Sequence, residues 1–149
     1  MDLLMNKQEI QAFLSDNYRL VQEGKITLER FFKKYKEHIH LNKSNKIAII
    51  QFRALGDAIL LSGFIREVKL NNPDKDLVII CDNNNYPIFQ YCPYASEVIN
   101  ICCNTSTDIY QFIKEVIHIL PSLFLDYQFD TIFCTQIGVN NLYAMLCAN

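Results

Sequence analysis

Four short apolar runs, separated by segments with helical spacing, constrain the fold of this chain more than any other feature. The runs span Lys46–Phe52, Leu77–Cys81, Glu97–Cys102 and Thr131–Cys134. The first two are almost continuously apolar, as expected of strands buried on both faces. Helical spacing is found from about Ala58 to Asn71, from Tyr86 to Tyr91, and from Asp108 to Leu120, with a break at Pro121 and a resumption to Asp126. Because strands alternate with helices, we predict a parallel sheet with right-handed crossovers, an α/β fold of the Rossmann-like class.

The first forty residues have a different pattern, which predicts a helical hairpin before the sheet. Apolar residues recur with helical spacing from about Leu3 to Gln22, and Thr27 is placed to cap a second helix. A polar linker, residues 41–45, follows. We therefore divide the chain into a helical N-terminal extension (1–43) and a Rossmann-like domain (46–149). Four strands are few for an open sheet, and Asn140 to Cys147 begins a further helix, so we expect the chain to be the front part of a longer protein.

Composition and charge exclude several classes of protein. The formal net charge is −2, which argues against a nucleic-acid partner. No run approaches the roughly 18 apolar residues of a membrane span, and the N-terminus does not resemble a secretory signal. The basic run Arg30–Lys36 predicts a solvated helix face, with docking on the inner-membrane surface as the alternative. We expect a cytoplasmic protein.

Cysteine and histidine residues do not predict a metal site. The six cysteines include no CxxC pair, and Cys81, Cys102 and Cys134 end apolar runs, which favours buried, reduced thiols. His38 and His40 end the second predicted helix, where imidazolium suits the helix dipole. Neither these nor His118 has partners that suggest metal ligation.

The loop after the first strand, Gln51–Asp57, holds the candidate functional residues. Asp57 is predicted to start a helix, where it is either an N-cap or a proton acceptor; a carboxylate there is stabilised by backbone N–H groups and the helix dipole. Arg53 either braces the loop or contacts an anionic substrate group. Gly56 allows a turn, a tight backbone approach or an unusual φ. Neither G-x-G-x-x-G nor a Walker A sequence occurs, so a dinucleotide or P-loop site is disfavoured.

Several motifs in this region resemble glycosyltransferase family 9, which includes the ADP-heptose:lipopolysaccharide heptosyltransferases. The stretch from Lys46 to Leu60 resembles the family's opening strand, basic residue, Gly-Asp and apolar helix. Similar elements follow in order at Asn72-Pro73-Asp74, at Tyr91–Ile99 and at Phe129–Phe133. The resemblance covers the chain from Lys46 to its end.

The resemblance implies a two-domain GT-B enzyme of which this chain is the N-terminal, acceptor-side half. Such an enzyme transfers heptose from ADP-heptose to a hydroxyl of a glycan or lipid-linked acceptor such as lipopolysaccharide core, without a metal or other cofactor. Asp57 matches the catalytic base, while Arg53, Gly56 and Gln136 match substrate-binding positions. The nucleotide-sugar would bind the second domain, so we expect this half to be inactive alone. A non-catalytic sugar-binding or scaffold domain is the alternative.

One motif departs from the family pattern. After the fourth strand the family has Asp-x-Gln-Gly, whereas this chain reads Cys134-Thr135-Gln136-Ile137-Gly138. The glutamine is kept, the acid is replaced by Cys134, and the glycine is displaced by one residue.

Overall fold

A four-stranded parallel sheet forms the centre of the molecule. The computed structural model describes residues 6–27, 29–31, 33–34, 44–52, 55–102 and 119–135. Its strands are β1 (Lys46–Gln51), β2 (Asp76–Cys81), β3 (Glu97–Asn100) and β4 (Thr131–Cys134). All pairs are parallel and the spatial order is β3-β2-β1-β4. The α/β, Rossmann-like fold predicted from the sequence is confirmed.

Four helices have bounds within the described residues: α1 (Lys7–Gln22), α2 (Leu55–Asn71), α3 (Tyr86–Phe89) and α4 (Leu120–Tyr127). α1 begins with a capping box, in which Asn6 Oδ1 accepts from the Glu9 N–H at 3.0 Å and Glu9 Oε2 accepts from the Asn6 N–H at 2.8 Å. Residues 29–31 and 33–34 are also helical. Thr27 caps them as predicted, because its hydroxyl accepts from the Arg30 N–H at 3.2 Å.

α4 agrees with the predicted resumption of helix after the break at Pro121, because it spans Leu120–Tyr127 and Pro121 lies in its first turn. Proline is tolerated there because the first helical N–H groups have no acceptor within the helix. The predicted helical segments at 108–118 and 140–147 lie outside the described residues.

Each face of the sheet carries its own hydrophobic cluster. On the face covered by α2, here the α2 face, the buried side chains are Ile47, Ile49, Ala58, Ile65, Val68, Leu77, Ile79, Cys81 and Phe89. The opposite face, here the α4 face, is covered by α1 and α4, and its buried side chains include Leu14, Tyr18, Val21, Phe31, Ala48, Ile50, Val78, Ile80, Leu120 and Phe124. The N-terminal helices therefore share a core with the sheet, and each fully buried aliphatic side chain contributes about 1.5–3 kcal/mol.

Polar contacts at the amino ends of the strands hold the start of β1 in place. The Ser44 N–H donates to the Gln128 carbonyl at 2.6 Å, and Asn45 Nδ2 donates to the Asp74 carbonyl at 2.7 Å. Lys75 and Asp130 form an ion pair between the residues that precede β2 and β4. The end of the predicted linker is thus anchored to the sheet.

Candidate functional site

The strand order changes direction at β1, so that β2 and β4 lie on opposite sides of it. From β1 the chain runs outward through β2 to β3, and then returns to place β4 on the other side of β1. The loops after β1 and β4 consequently leave the same edge side by side, since Ile50 is in register with Cys134. In open α/β sheets, ligands bind outside the carboxyl ends of the strands at such a switch point. Both loops that hold the sequence-predicted site residues are found there.

Asp57 is exposed at this edge, in the first turn of α2. The predicted helix start near Ala58 is wrong, because α2 begins at Leu55 and Asp57 is its third residue rather than its N-cap. An acid in the first turn is still favoured by the helix dipole and nearby backbone N–H groups. No hydrogen bond or ion pair joins the Asp57 carboxylate to another residue in the described part of the chain.

Gly56 does not have the conformational role that its residue type suggested. It is a helical residue whose φ lies outside the left-handed region. A Cβ built on it would meet no atom of the described residues within 4 Å. Neither a tight approach of the described backbone nor an unusual φ therefore requires glycine, and the space above Gly56 is open.

Two predicted site residues, Arg53 and Gln136, lie outside the described residues, as do His38, His40 and His118. The structure describes the residue before each of these two site residues. Phe52, before Arg53, follows β1 and is buried, and Thr135, before Gln136, follows β4 and is half-buried. Their roles stay predictions.

Sequence reasoning missed a set of buried polar side chains along the carboxyl ends of β1 and β2. Gln51, the last residue of β1, is 1% exposed, and Asp82, which directly follows β2, is 0% exposed. Asp82 Oδ1 accepts from the Asn85 N–H at 3.1 Å and from Asn85 Nδ2 at 3.0 Å. The segment Asn83–Asn85 is thus part of an ordered turn. A polar residue at the end of a continuous apolar run was the signal that could have identified Gln51 and Asp82.

The thiols near this edge differ in exposure. Cys81 is buried, and burial, with a smaller contribution from the Asp82 charge, raises its pKa to about 12. Cys134 is half-buried, whereas Cys102 is exposed, so its predicted burial is wrong. The reason is that β3 ends at Asn100 and the chain turns at Cys102, whose φ is 58°. Neither these three thiols nor Cys92 forms a disulfide among the described residues, and Cys103 and Cys147 lie outside those residues.

An apolar strip lies next to Asp57 on the first half of α2. Its exposed side chains are Leu55, Ile59, Leu60 and Phe64. Phe64 packs edge-to-face on Phe133 of β4 with ring centroids 5.2 Å apart. At Phe64 the strip thus contacts the α2 face of β4.

The described residues contain no group of three or more His, Cys, Asp or Glu side chains placed to hold a metal ion. None of the helices described is both long and apolar enough to span a bilayer.

Comparison with known proteins does not identify a family. No protein-family model, curated protein or solved structure matches this chain significantly. The sheet order and the residues at its carboxyl edge are therefore the basis for a functional proposal.

Proposed function

We propose that this chain is the acceptor-side half of a glycosyltransferase. The enzyme transfers heptose or a similar sugar from a nucleotide-sugar, with ADP-heptose as the expected donor, to a hydroxyl of a glycan such as lipopolysaccharide core. The observation that carries the proposal is the exposed carboxylate of Asp57 beside the β1–β4 switch point. The motif resemblance to glycosyltransferase family 9 supplies the reaction type.

The chemistry assigned to Asp57 is general-base catalysis. An acceptor hydroxyl is a weak nucleophile, and removal of its proton as the glycosidic bond forms speeds the attack on the anomeric carbon. Asp57 is suited to this role because it is exposed and its neighbour Ala58 lies in the same buried cluster as Ile49 of β1.

Three further residues complete the proposed acceptor site. Arg53 contacts an acidic or phosphorylated group of the acceptor, Gly56 leaves room for the sugar over the first turn of α2, and Gln136 donates or accepts a hydrogen bond from the β4 side. The departing nucleoside diphosphate is neutralised by a second domain of the GT-B enzyme. The enzyme works in the cytoplasm, at the inner face of the inner membrane where its lipid-linked acceptor is held.

The test is a transfer assay on the complete gene product with ADP-heptose and a heptose-deficient lipopolysaccharide acceptor. Asp57→Asn should lower kcat by roughly 10²- to 10⁴-fold, the usual contribution of a positioned base. Glu67→Gln is the matched control, since Glu67 is an exposed acid on the same helix, away from the carboxyl edge. It should leave kcat unchanged.

Two outcomes would contradict the proposal in different ways. Sugar binding without turnover by the wild-type protein would indicate a non-catalytic sugar-binding domain on the same half-fold. Equal rates for the Asp57→Asn and wild-type enzymes would mean that another group removes the proton. In either case the Asp57→Asn variant should keep its fold, because loss of the helix-dipole interaction costs only about 0.3–1 kcal/mol. Circular dichroism checks that it does.

A further inference from the structure

The α2 face of the sheet changes from apolar to polar in its last row. Side chains on this face of β1 alternate, so Ile47 and Ile49 are followed by Gln51. The row before it contains Ile49, Ile79 and Phe133. In the last row, Gln51 is in register with Cys81, and Thr135 comes one residue after the Ile50–Cys134 pair. Gln51 and Thr135 are therefore neighbours on adjacent strands.

Direct contacts join these two side chains. The Thr135 hydroxyl donates to the Gln51 side-chain oxygen and also lies 2.8 Å from the Ile50 carbonyl oxygen. Gln51 Nε2 donates to the Phe52 carbonyl at 3.3 Å. Gln51 is 1% exposed, so these hydrogen bonds form where water does not compete with them.

Stability alone gives no reason for this polar pair. Burial of an amide and a hydroxyl lowers stability unless both groups are hydrogen-bonded. Even when they are, two apolar side chains of similar shape in their place would give about the same free energy of unfolding. The neighbouring rows show that this face accepts aliphatic and aromatic side chains. What a hydrogen-bonded pair adds is a fixed relative geometry between its two strands.

We propose that Gln51 and Thr135 are positioning residues for the acceptor site. Gln51 ends β1, and the chain enters the first turn of α2 four residues later; Thr135 directly precedes Gln136. The pair therefore fixes the bases of the two loops on either side of the switch point. The pair thereby holds the first turn of α2, and with it Asp57, at the position that the acceptor hydroxyl requires. The catalytic role of the pair rests on the proposed function for the site, whereas its effect on the first turn of α2 does not.

The experiment compares Thr135→Val, which removes the hydroxyl and keeps the shape, with Thr135→Ser, which keeps the hydroxyl. Amide hydrogen exchange of Ile59 and Leu60 reports on the first turn of α2, because helical N–H groups bond four residues back. We expect Thr135→Val to raise their exchange rates roughly 5-fold, which corresponds to the loss of a hydrogen bond of about 1 kcal/mol. Exchange at Val68 should not change, and Thr135→Ser should restore the wild-type rates.

Kinetics of the complete gene product provide the second readout. Displacement of a base by about 1 Å can cost roughly 100-fold in rate. We therefore expect Thr135→Val to lower kcat about 10- to 100-fold at an unchanged KM for the nucleotide-sugar, with recovery in Thr135→Ser. A variant that only lowered stability would lower the rate in proportion to the loss of folded enzyme. At equal concentrations of folded protein it would have no loss of kcat for Thr135→Ser to recover.

The outcomes separate this inference from the proposed function. Unchanged exchange at Ile59 and Leu60 in Thr135→Val overturns the inference, whatever the enzyme does. Raised exchange with unchanged kcat also overturns it, because the pair would then be structural only. If the wild-type protein transfers no sugar, the proposed function fails, and the exchange data alone decide whether the pair positions the first turn of α2.

Discussion

The Tyr127 hydroxyl donates a 2.7 Å hydrogen bond to Glu97 Oε1, which joins the end of α4 to the first residue of edge strand β3. Tyr127 also stacks on Phe129, with ring centroids 5.4 Å apart. These contacts attach the segment before β4 to the far side of the sheet. The last part of the chain that returns from β3 to β4 is thus attached to β3.

This contact predicts a loss of stability at high pH. The hydrogen bond to Glu97, followed by burial, raises the pKa of Tyr127 from 10.0 to about 12. A group whose pKa is raised in the folded state contributes its full stabilisation below the unfolded pKa. That contribution is then lost as the pH rises from about 10 to about 12. Urea unfolding should show a steeper fall in the free energy of unfolding over this range for the wild type than for Tyr127→Phe. Parallel curves for the two proteins would contradict the assignment.

Gly56 and Gly63 form a matched pair for testing the open space at the site. Both are exposed residues of α2, and a Cβ at either would meet no described atom within 4 Å. Gly63→Ala should stabilise the protein by about 1 kcal/mol because alanine favours the helix, and Gly56→Ala by less because it lies in the first turn. Thermal unfolding should show a rise of about 2–4 °C for Gly63→Ala.

Only one of these two substitutions should affect sugar transfer. The methyl group of Gly56→Ala projects at the carboxyl edge where the acceptor is proposed to bind, whereas Gly63 lies two turns further along α2. We expect Gly56→Ala to raise the KM for the acceptor and Gly63→Ala to leave it unchanged. Equal KM values in both variants would show that the acceptor does not occupy the space above Gly56.

Thiol labelling should distinguish Cys102 from Cys81. The thiolate is the reactive form, so a buried thiol with a pKa of about 12 reacts slowly at pH 8. Cys102 is exposed and should be alkylated first by iodoacetamide in the native protein. Peptide mass spectrometry should find Cys81 labelled only after urea is added. Comparable labelling of both residues in the native protein would contradict the burial of Cys81.

A core substitution tests whether the N-terminal helix folds with the sheet. Leu14 of α1 is 0% exposed, in the same cluster as Ala48 and Ile50 of β1. Leu14→Ala should lower the free energy of unfolding by about 2–5 kcal/mol because it leaves a cavity. Leu60→Ala is the control, since Leu60 is 81% exposed and should change stability by less than about 0.5 kcal/mol. Similar urea midpoints for the two variants would indicate that α1 is not part of the cooperative unit.

The strands could be predicted from the sequence because their signal is local. β1, β2 and β4 lie within a residue of their predicted bounds, since each is a short apolar run between polar segments. β3 ends early because Asn100 Oδ1 accepts from the Cys102 N–H at 2.9 Å and turns the chain. Nothing in the hydrophobic pattern distinguishes this side-chain hydrogen bond from continued strand.

The site could be predicted only in part, for a similar reason. A Gly-Asp sequence after a strand predicts a junction between strand and helix, but it suggests an N-cap at Asp57, whereas the helix begins at Leu55. The Gln51–Thr135 contact depends on the register of two strands that are far apart in the sequence. Residue periodicity contains no information on that register, so the contact required the structure.

The central position of β1 affects how the molecule can be made. One edge of β1 can pair with β2 soon after both are synthesised. The other edge can pair only after β4 has left the ribosome, which happens much later. Until then the nascent chain has an open, strongly apolar strand edge, which is a site for aggregation or chaperone binding. We expect α1, which precedes β1 in the chain, to cover one apolar face of that strand during translation.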